Sequence, residues 1–355
     1  MNKIIKRFSI LFILSIAFFI TSLTLLIIPS HYDLIVPAST YDIRNVYSFE
    51  GVDTTDVNVN SVSVYSYYEI SMLNYIVSNL NPYAVIDEHN DYVITSNDYA
   101  MSSGNIQKIV SVNNSLICGY KKAGKDIKYY FRGDIVHTIF SGATIYFQIG
   151  DIITEVEGTK ITEEINVNRI IIEKYGVIEI DGAYYLNLNK DDILNFKLLR
   201  NNEELEINVK PLYYEEGNLK IYILGINTYD CYGIDSENTT PKYHINYPDS
   251  YGPSAGFMQA LFIYDALSKE KLTKDLKIVG TGTIDINGNV GSIGGVESKL
   301  VAAEASHADI FFVPEANYQE ALQRYNKHNY KLDLVKVKTF DDCLNYLRQL
   351  KGVTV

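Results

Sequence analysis

Gly252-Pro253-Ser254-Ala255-Gly256, running straight into the apolar stretch Phe257–Leu267, is the passage from which fold and chemistry are read. Proline is tolerated in the first turn of a helix, where its missing N–H would have no intrahelical partner. The passage therefore predicts a buried helix over Ser254–Leu267. Ser254 would stand at its start, where free backbone N–H groups can hold a developing negative charge. Small neighbours on both sides let another backbone approach closely. Taken alone, the pentapeptide also fits an ordinary capping serine in a glycine turn.

Working outward, Ile221–Ile226, Leu276–Ile286, Asp309–Val313 and Leu332–Val337 read as strands, with Asn287-Gly288 as a hairpin turn. Helices fit Gly295–Ala305, Tyr318–Tyr325 and Phe340–Leu350, the last capped by Thr339 and Asp342. The order is mixed α+β, without a regular βαβ repeat. Within the second helix, Lys299 shares a face with the small residues Gly295, Ala302 and Ser306, beside an apolar stripe of Val296, Leu300 and Ala303. A lysine so placed is either a solvated surface charge or an ammonium drawn into a pocket. In a pocket, desolvation lowers its pKa, and the neutral amine can take a hydroxyl proton.

Two motif matches fail on context. Gly252–Gly256 satisfies G-x-S-x-G, but Asn246–Tyr251 is no apolar strand and only about 100 residues follow. Gly119–Lys125 satisfies G-x-x-x-x-G-K, but Asp126 replaces the Ser or Thr and would repel phosphate.

Upstream, residues 125–212 alternate short strands with glycine turns. Ser141-Gly142-Ala143 opens a short turn, Gly150-Asp151-Ile152-Ile153 enters a strand, and Glu157-Gly158 turns it back. A helix follows near Asn166–Lys174, and a last strand at Glu204–Val209. This order resembles a PDZ domain, a module that binds an extended chain as an added strand. The resemblance places a carboxylate-binding loop near Lys128–Gly133, although no Gly-Leu-Gly-Phe occurs there. Residues 30–124 read as a mixed spacer with a strand at Val57–Tyr68 and a helix at Glu69–Leu80, and no chemistry.

Phe8–Ile28 is an uncharged run of about 21 residues, long enough as a helix to cross a bilayer of ~30 Å. Lys3, Lys6 and Arg7 precede it, and no basic residue follows until Arg44, which orients the N-terminus to the cytoplasm. The rival is a cleaved signal peptide, but no A-x-A site follows the run. The net charge of -12 argues against nucleic-acid binding, which draws its affinity from Lys and Arg on phosphates. Three widely spaced cysteines, Cys118, Cys231 and Cys343, form no C-x-x-C pair and predict neither a metal site nor a disulfide framework.

The words Gly252-Pro-Ser-Ala-Gly256, Gly280-Thr-Gly282, Gly294-Gly295-Val-x-x-Lys299-Leu-x-Ala-Ala303 and Phe311-Phe-Val-Pro314 resemble the peptidase domain of Lon proteases. Anchor, PDZ and peptidase in this order look like the membrane-anchored, PDZ-containing Lon-like proteases of Gram-positive bacteria. The resemblance implies a cytoplasmic tip and anchor at 1–29, an extracytoplasmic segment at 30–124, a PDZ-like domain at 125–212 and a Lon-type peptidase domain at 218–355. It implies an ATP-independent serine endopeptidase outside the membrane, with no cofactor and no metal, acting on peptide or protein substrates, and assembly into a homo-oligomeric ring. Ser254 would be the nucleophile, Lys299 the general base, and Thr281 a hydroxyl that helps hold the amine. Gly252, Pro253 and Ala255 would shape the oxyanion and substrate approach. Tyr251 stands where the family pattern has glycine, so either a narrowed substrate channel or a changed backbone near the oxyanion site is expected. A non-catalytic surface adaptor with a degenerate peptidase domain is the alternative.

Overall fold

The computed structural model describes residues 2–90 and 96–352. Residues 91–95 and 353–355, parts of the expected 30–124 and 218–355 units, and the side chain of Lys3 lie outside it. From the N-terminus the main elements are α1 (Asn2–Ile27), β1 (Tyr32–Asp42), β2 (Val59–Tyr67), β3 (Val85–Glu88) and α2 (Asn97–Lys122). Then come β4 (Asp126–Ile139), β5 (Ile152–Val156), α3 (Val167–Tyr175), β6 (Leu194–Arg200), β7 (Glu203–Val209) and β8 (Ile226–Thr240). The last stretch holds α4 (Gly256–Leu267), β9 (Ile278–Gly280), α5 (Val296–Ala305), β10 (Ile310–Pro314), α6 (Tyr318–Lys327), β11 (Asp333–Val337) and α7 (Phe340–Lys351).

One sheet runs in the order β11-β10-β9-β2-β1-β3. Its middle strand, β9, pairs in parallel with β10 on one edge and with β2 on the other. All three of its residues are buried, as a central parallel strand requires. The N-terminal strands therefore belong to the same sheet as the C-terminal ones, and residues 30–124 are not a spacer. The physical reason lies in α4. Every residue of it is buried, so it needs cover on more than one face, and α2 packs along it to provide that. At their crossing a β-carbon on Gly119 would come 2.7 Å from Ile263 Cβ, so only glycine allows this approach.

The sequence reading did not find α2, because its serines and asparagines break the apolar stripe. Those residues hold neighbouring backbone instead. Ser115 Oγ donates to Gly256 O at 2.8 Å, Asn113 Nδ2 to Tyr232 O at 2.9 Å and Asn114 Nδ2 to Ile284 O at 3.1 Å.

A second sheet runs β7-β6-β5-β4-β8. Its core gathers Val136, Ile153, Phe196 and Val209 with Val167, Ile170 and Ile171 of α3. Gly142 takes φ 95° before a 3-10 turn at Ala143–Ile145, and Glu157 and Gly158 both take positive φ between β5 and the next short strand. Two expectations change here. Lys128–Gly133, expected as a loop, lies inside β4. Residues 226–240, assigned to the last domain, pair with β4 from Ile226↔Ile139 to Thr240↔Asp126. The second sheet is thus an insertion between the halves of the first unit, entered along β4 and left along β8. Elsewhere the elements sit near their expected places. α7 carries the Thr339–Asp342 capping box, and the three cysteines are buried and unpaired.

Within α1, Ile5–Ile27 is 23 residues long with mean hydropathy 2.7, and none of its best window is buried. That is long and apolar enough to cross a membrane, and a signal sequence has the same character.

Candidate active site

Ser254 occupies the turn just before α4, which begins at Gly256, two residues later than expected. Three elements fix this turn. From α2, Gly104 O accepts the Gly252 N–H at 3.0 Å, and Ser111 Oγ donates to Pro253 O at 2.9 Å. From the end of β9, Gly282 N donates to Ser254 O at 2.8 Å and Thr281 Oγ1 to the same oxygen at 3.1 Å. Gly256 N closes on Pro253 O at 3.1 Å. Gly252 takes φ 88°, a conformation glycine adopts without strain.

This accounting revises the expected oxyanion set. Gly252 has already spent its N–H, and Pro253 has none, so these two shape the turn. Among the described residues the N–H groups of Ser254 and Ala255 have no acceptor. Thr281 also differs from expectation. It is fully buried, but its hydroxyl holds the Ser254 carbonyl and makes no bond to the lysine amine. Thr281→Val, which keeps shape but loses the donor, is expected to lower kcat about tenfold, whereas Thr281→Ser stays near wild type. Steady-state kinetics on an unfolded protein substrate checks this.

Lys299 lies in the second turn of α5, which packs across β1 and β2. The helix starts from Gly295 at φ 66°, where a β-carbon would come 2.9 Å from Ile35 Cγ2. Close seating buries Val296, Leu300 and Ala303 and leaves Lys299 only 4% exposed. Among the described residues its amine has no carboxylate within salt-bridge distance, and no nearby charge shifts it. Burial alone pushes its pKa down to about 8, toward the neutral amine. Of the two readings of Lys299, the surface charge is excluded.

Ser254 and Lys299 line the same cavity, of about 420 Å³, whose apolar wall includes Leu34, Ile35 and Val64. Tyr251 does not narrow it. Its half-exposed ring lies by Lys108, with Nζ 5.4 Å from the centroid, and Gly104 leaves room for its Cβ. The sequence reading missed three contributors. Gln107 of α2 borders the cavity, Ser111 bonds the turn of Ser254, and Asn317 clamps Ile293 through both amide ends at 2.9 Å. Asn317 thereby fixes the loop leading into α5. No local pattern marks any of the three, because each acts on backbone far away in sequence.

A hydroxyl and a desolvated amine lining one cavity, with two N–H groups free of acceptors at the Ser254 turn, are groups that acyl transfer can use. Residues 227–349 match the Lon protease (S16) C-terminal proteolytic domain. The Lon protease of Campylobacter jejuni is 29% identical over 159 residues, 42% of this chain and 19% of that protein. Lon protease 2 of Bacillus subtilis is 36% identical over 105 residues, 29% of this chain and 18% of that protein. The peroxisomal Lon protease homolog 2 of Kluyveromyces lactis is 28% identical over 194 residues, 48% of this chain and 18% of that protein. The chain thus spans about a fifth of the length of these relatives. What it shares with them, over residues 227–349, is similarity to the Lon protease (S16) C-terminal proteolytic domain.

Proposed function

We propose that the chain is an ATP-independent serine endopeptidase in which Ser254 is the nucleophile and Lys299 the general base. The observation that carries this reading is the burial of Lys299, without an acidic partner, on the cavity wall that also bears Ser254. An ion-paired lysine would stay protonated, whereas a desolvated one can accept a proton near neutral pH.

In the first step Ser254 Oγ bonds to the scissile carbonyl carbon while its proton passes to Lys299 Nζ. The carbonyl oxygen takes the negative charge, held by the N–H groups of Ser254 and Ala255. Collapse breaks the C–N bond, and the ammonium of Lys299 gives its proton to the leaving amine. Water then attacks the acyl-enzyme, again losing its proton to Lys299, and the Ser254 oxygen leaves with that proton.

Around this centre we assign α1 as a single-pass anchor with a cytoplasmic N-terminus and the catalytic half outside, supported by its apolar length and the basic residues before it. Residues 125–212 are read as a PDZ-like unit, supported by their turn and strand order. Assembly into a ring is carried over from the Lon resemblance. On the ATP-independent reading, substrates are peptides or exposed segments of proteins.

Digestion of unfolded casein by the detergent-solubilised full chain tests the reading. Ser254→Ala is expected to lose at least about 10³-fold in turnover. Equal digestion by both proteins would remove Ser254 as nucleophile, and no digestion by either would leave the non-catalytic adaptor instead.

A further inference from the structure

A unit that binds chains by strand addition needs a free sheet edge, and β4 has none. On one side it pairs with β5 through Asp134↔Ile153 and Ile135↔Ile152. On the other, β8 runs antiparallel to it, from Ile226↔Ile139 to Cys231↔Gly133 and beyond. Strand addition also needs side-chain anchors at alternate positions. Leu224 and Ile226, two apart, pack into the same apolar cluster as Val136, Ile139 and Val167, the last being the first residue of α3. A receptor for a C-terminal carboxylate would close its groove with a loop. Here β4 continues as a strand through Lys128–Gly133, and β8 continues beside it to Thr240. The seated segment passes through the groove and does not end in it.

We infer that the ligand of the PDZ-like unit is internal. Residues 224–231 of the same chain fill its strand-adding edge, and the unit holds the strand that leads into the catalytic half instead of recruiting substrate. This rests on the PDZ-like reading of residues 125–212. Tyr229 shows what the seat positions. Its ring stacks on His137 of β4 with centroids 3.9 Å apart, and the residue also borders the cavity of Ser254 and Lys299. An external peptide adding to β4 would have to displace a ladder that is intramolecular, and so present at high effective concentration.

A reversible staple tests this in the full chain. Thr138 and Asn227 face each other across the β4–β8 ladder, so Thr138→Cys with Asn227→Cys should close a disulfide on mild oxidation. The native cysteines are buried and free. The oxidised protein is expected to melt higher than the reduced one and to keep casein turnover within about twofold of it. A loss of about tenfold or more that dithiothreitol restores would overturn the inference, because the groove would then have to open during turnover. Failure of the pair to close would also overturn it. A pair that closes and raises the melting temperature in a protein without turnover would uphold the seat while removing the peptidase reading. Independently of the variant, those amides of residues 226–231 that point to β4 should exchange at least about 10³-fold slower than free peptide, and fast exchange of these would contradict the seat.

Discussion

Lys299→Met is expected to abolish turnover, by about 10³-fold or more, while making the protein more stable at pH 7. Both effects come from the same burial. Methionine has nearly the length of the lysine stem and fits an apolar niche, but it cannot accept a proton. The amine in the fold has a pKa of about 8 against its ordinary 10.5. Between those two values the unfolded chain binds the proton and the folded chain does not, so stability rises with pH across that window. Below about pH 8 both states are protonated, and the whole cost of burying the charge is present, on the order of 3 kcal/mol. The methionine variant escapes that cost. Urea unfolding at pH 7 should therefore show a higher midpoint for Lys299→Met, and a wild-type midpoint that climbs between about pH 8 and pH 10. A lower midpoint for the variant would mean that the ammonium is solvated in the folded protein.

Cutting the chain down to residues 218–355 is expected to cost the catalytic half its fold altogether. A chain of residues 218–355 keeps β9, β10 and β11 but loses β2, the neighbour on the other edge of β9. It also loses α2, which covers α4 and supplies Ser111 and the Gly104 carbonyl to the nucleophile turn. Ile43, Val46, Tyr47, Phe49, Val57 and Val59 leave the main core, and Val112, Leu116, Cys118 and Tyr120 leave with α2. Large buried side chains contribute roughly 1.5–3 kcal/mol each, and such a loss exceeds the 5–15 kcal/mol stability of an ordinary domain. The fragment should show no cooperative urea transition, whereas residues 30–355 should show one. A cooperative transition in the fragment would contradict the interleaved fold.

How far the sequence was legible follows from where each signal lies. The turn at Gly252–Gly256, the helix of Lys299 and the Thr339 cap are local patterns, and each sits where its residues placed it. Strand partners are a different matter. Nothing in Val59–Tyr67 says that it lies beside Ile278–Gly280, more than 200 residues away, so residues 30–124 read as a spacer. Helix α2 stayed hidden because its polar residues are spent on neighbouring backbone, which lowers the apolar contrast that periodicity detects. At the site, residue types left Ser254 and Lys299 open between structural and chemical readings, and the Lon resemblance singled them out. The division of labour among N–H groups, with Gly252 spent and Ala255 free, depends on a carbonyl of α2 that only the fold supplies.

The most direct test follows the rate at which a fluorophosphonate labels the full chain as pH is raised, with the modified residue located by mass spectrometry. With Lys299 as base, the label should fall on Ser254, its rate should climb about tenfold per pH unit and level off near pH 8, and Lys299→Met should be unlabelled. A rate indifferent to pH, or equal labelling of the methionine variant, would show that the buried amine does not activate the serine.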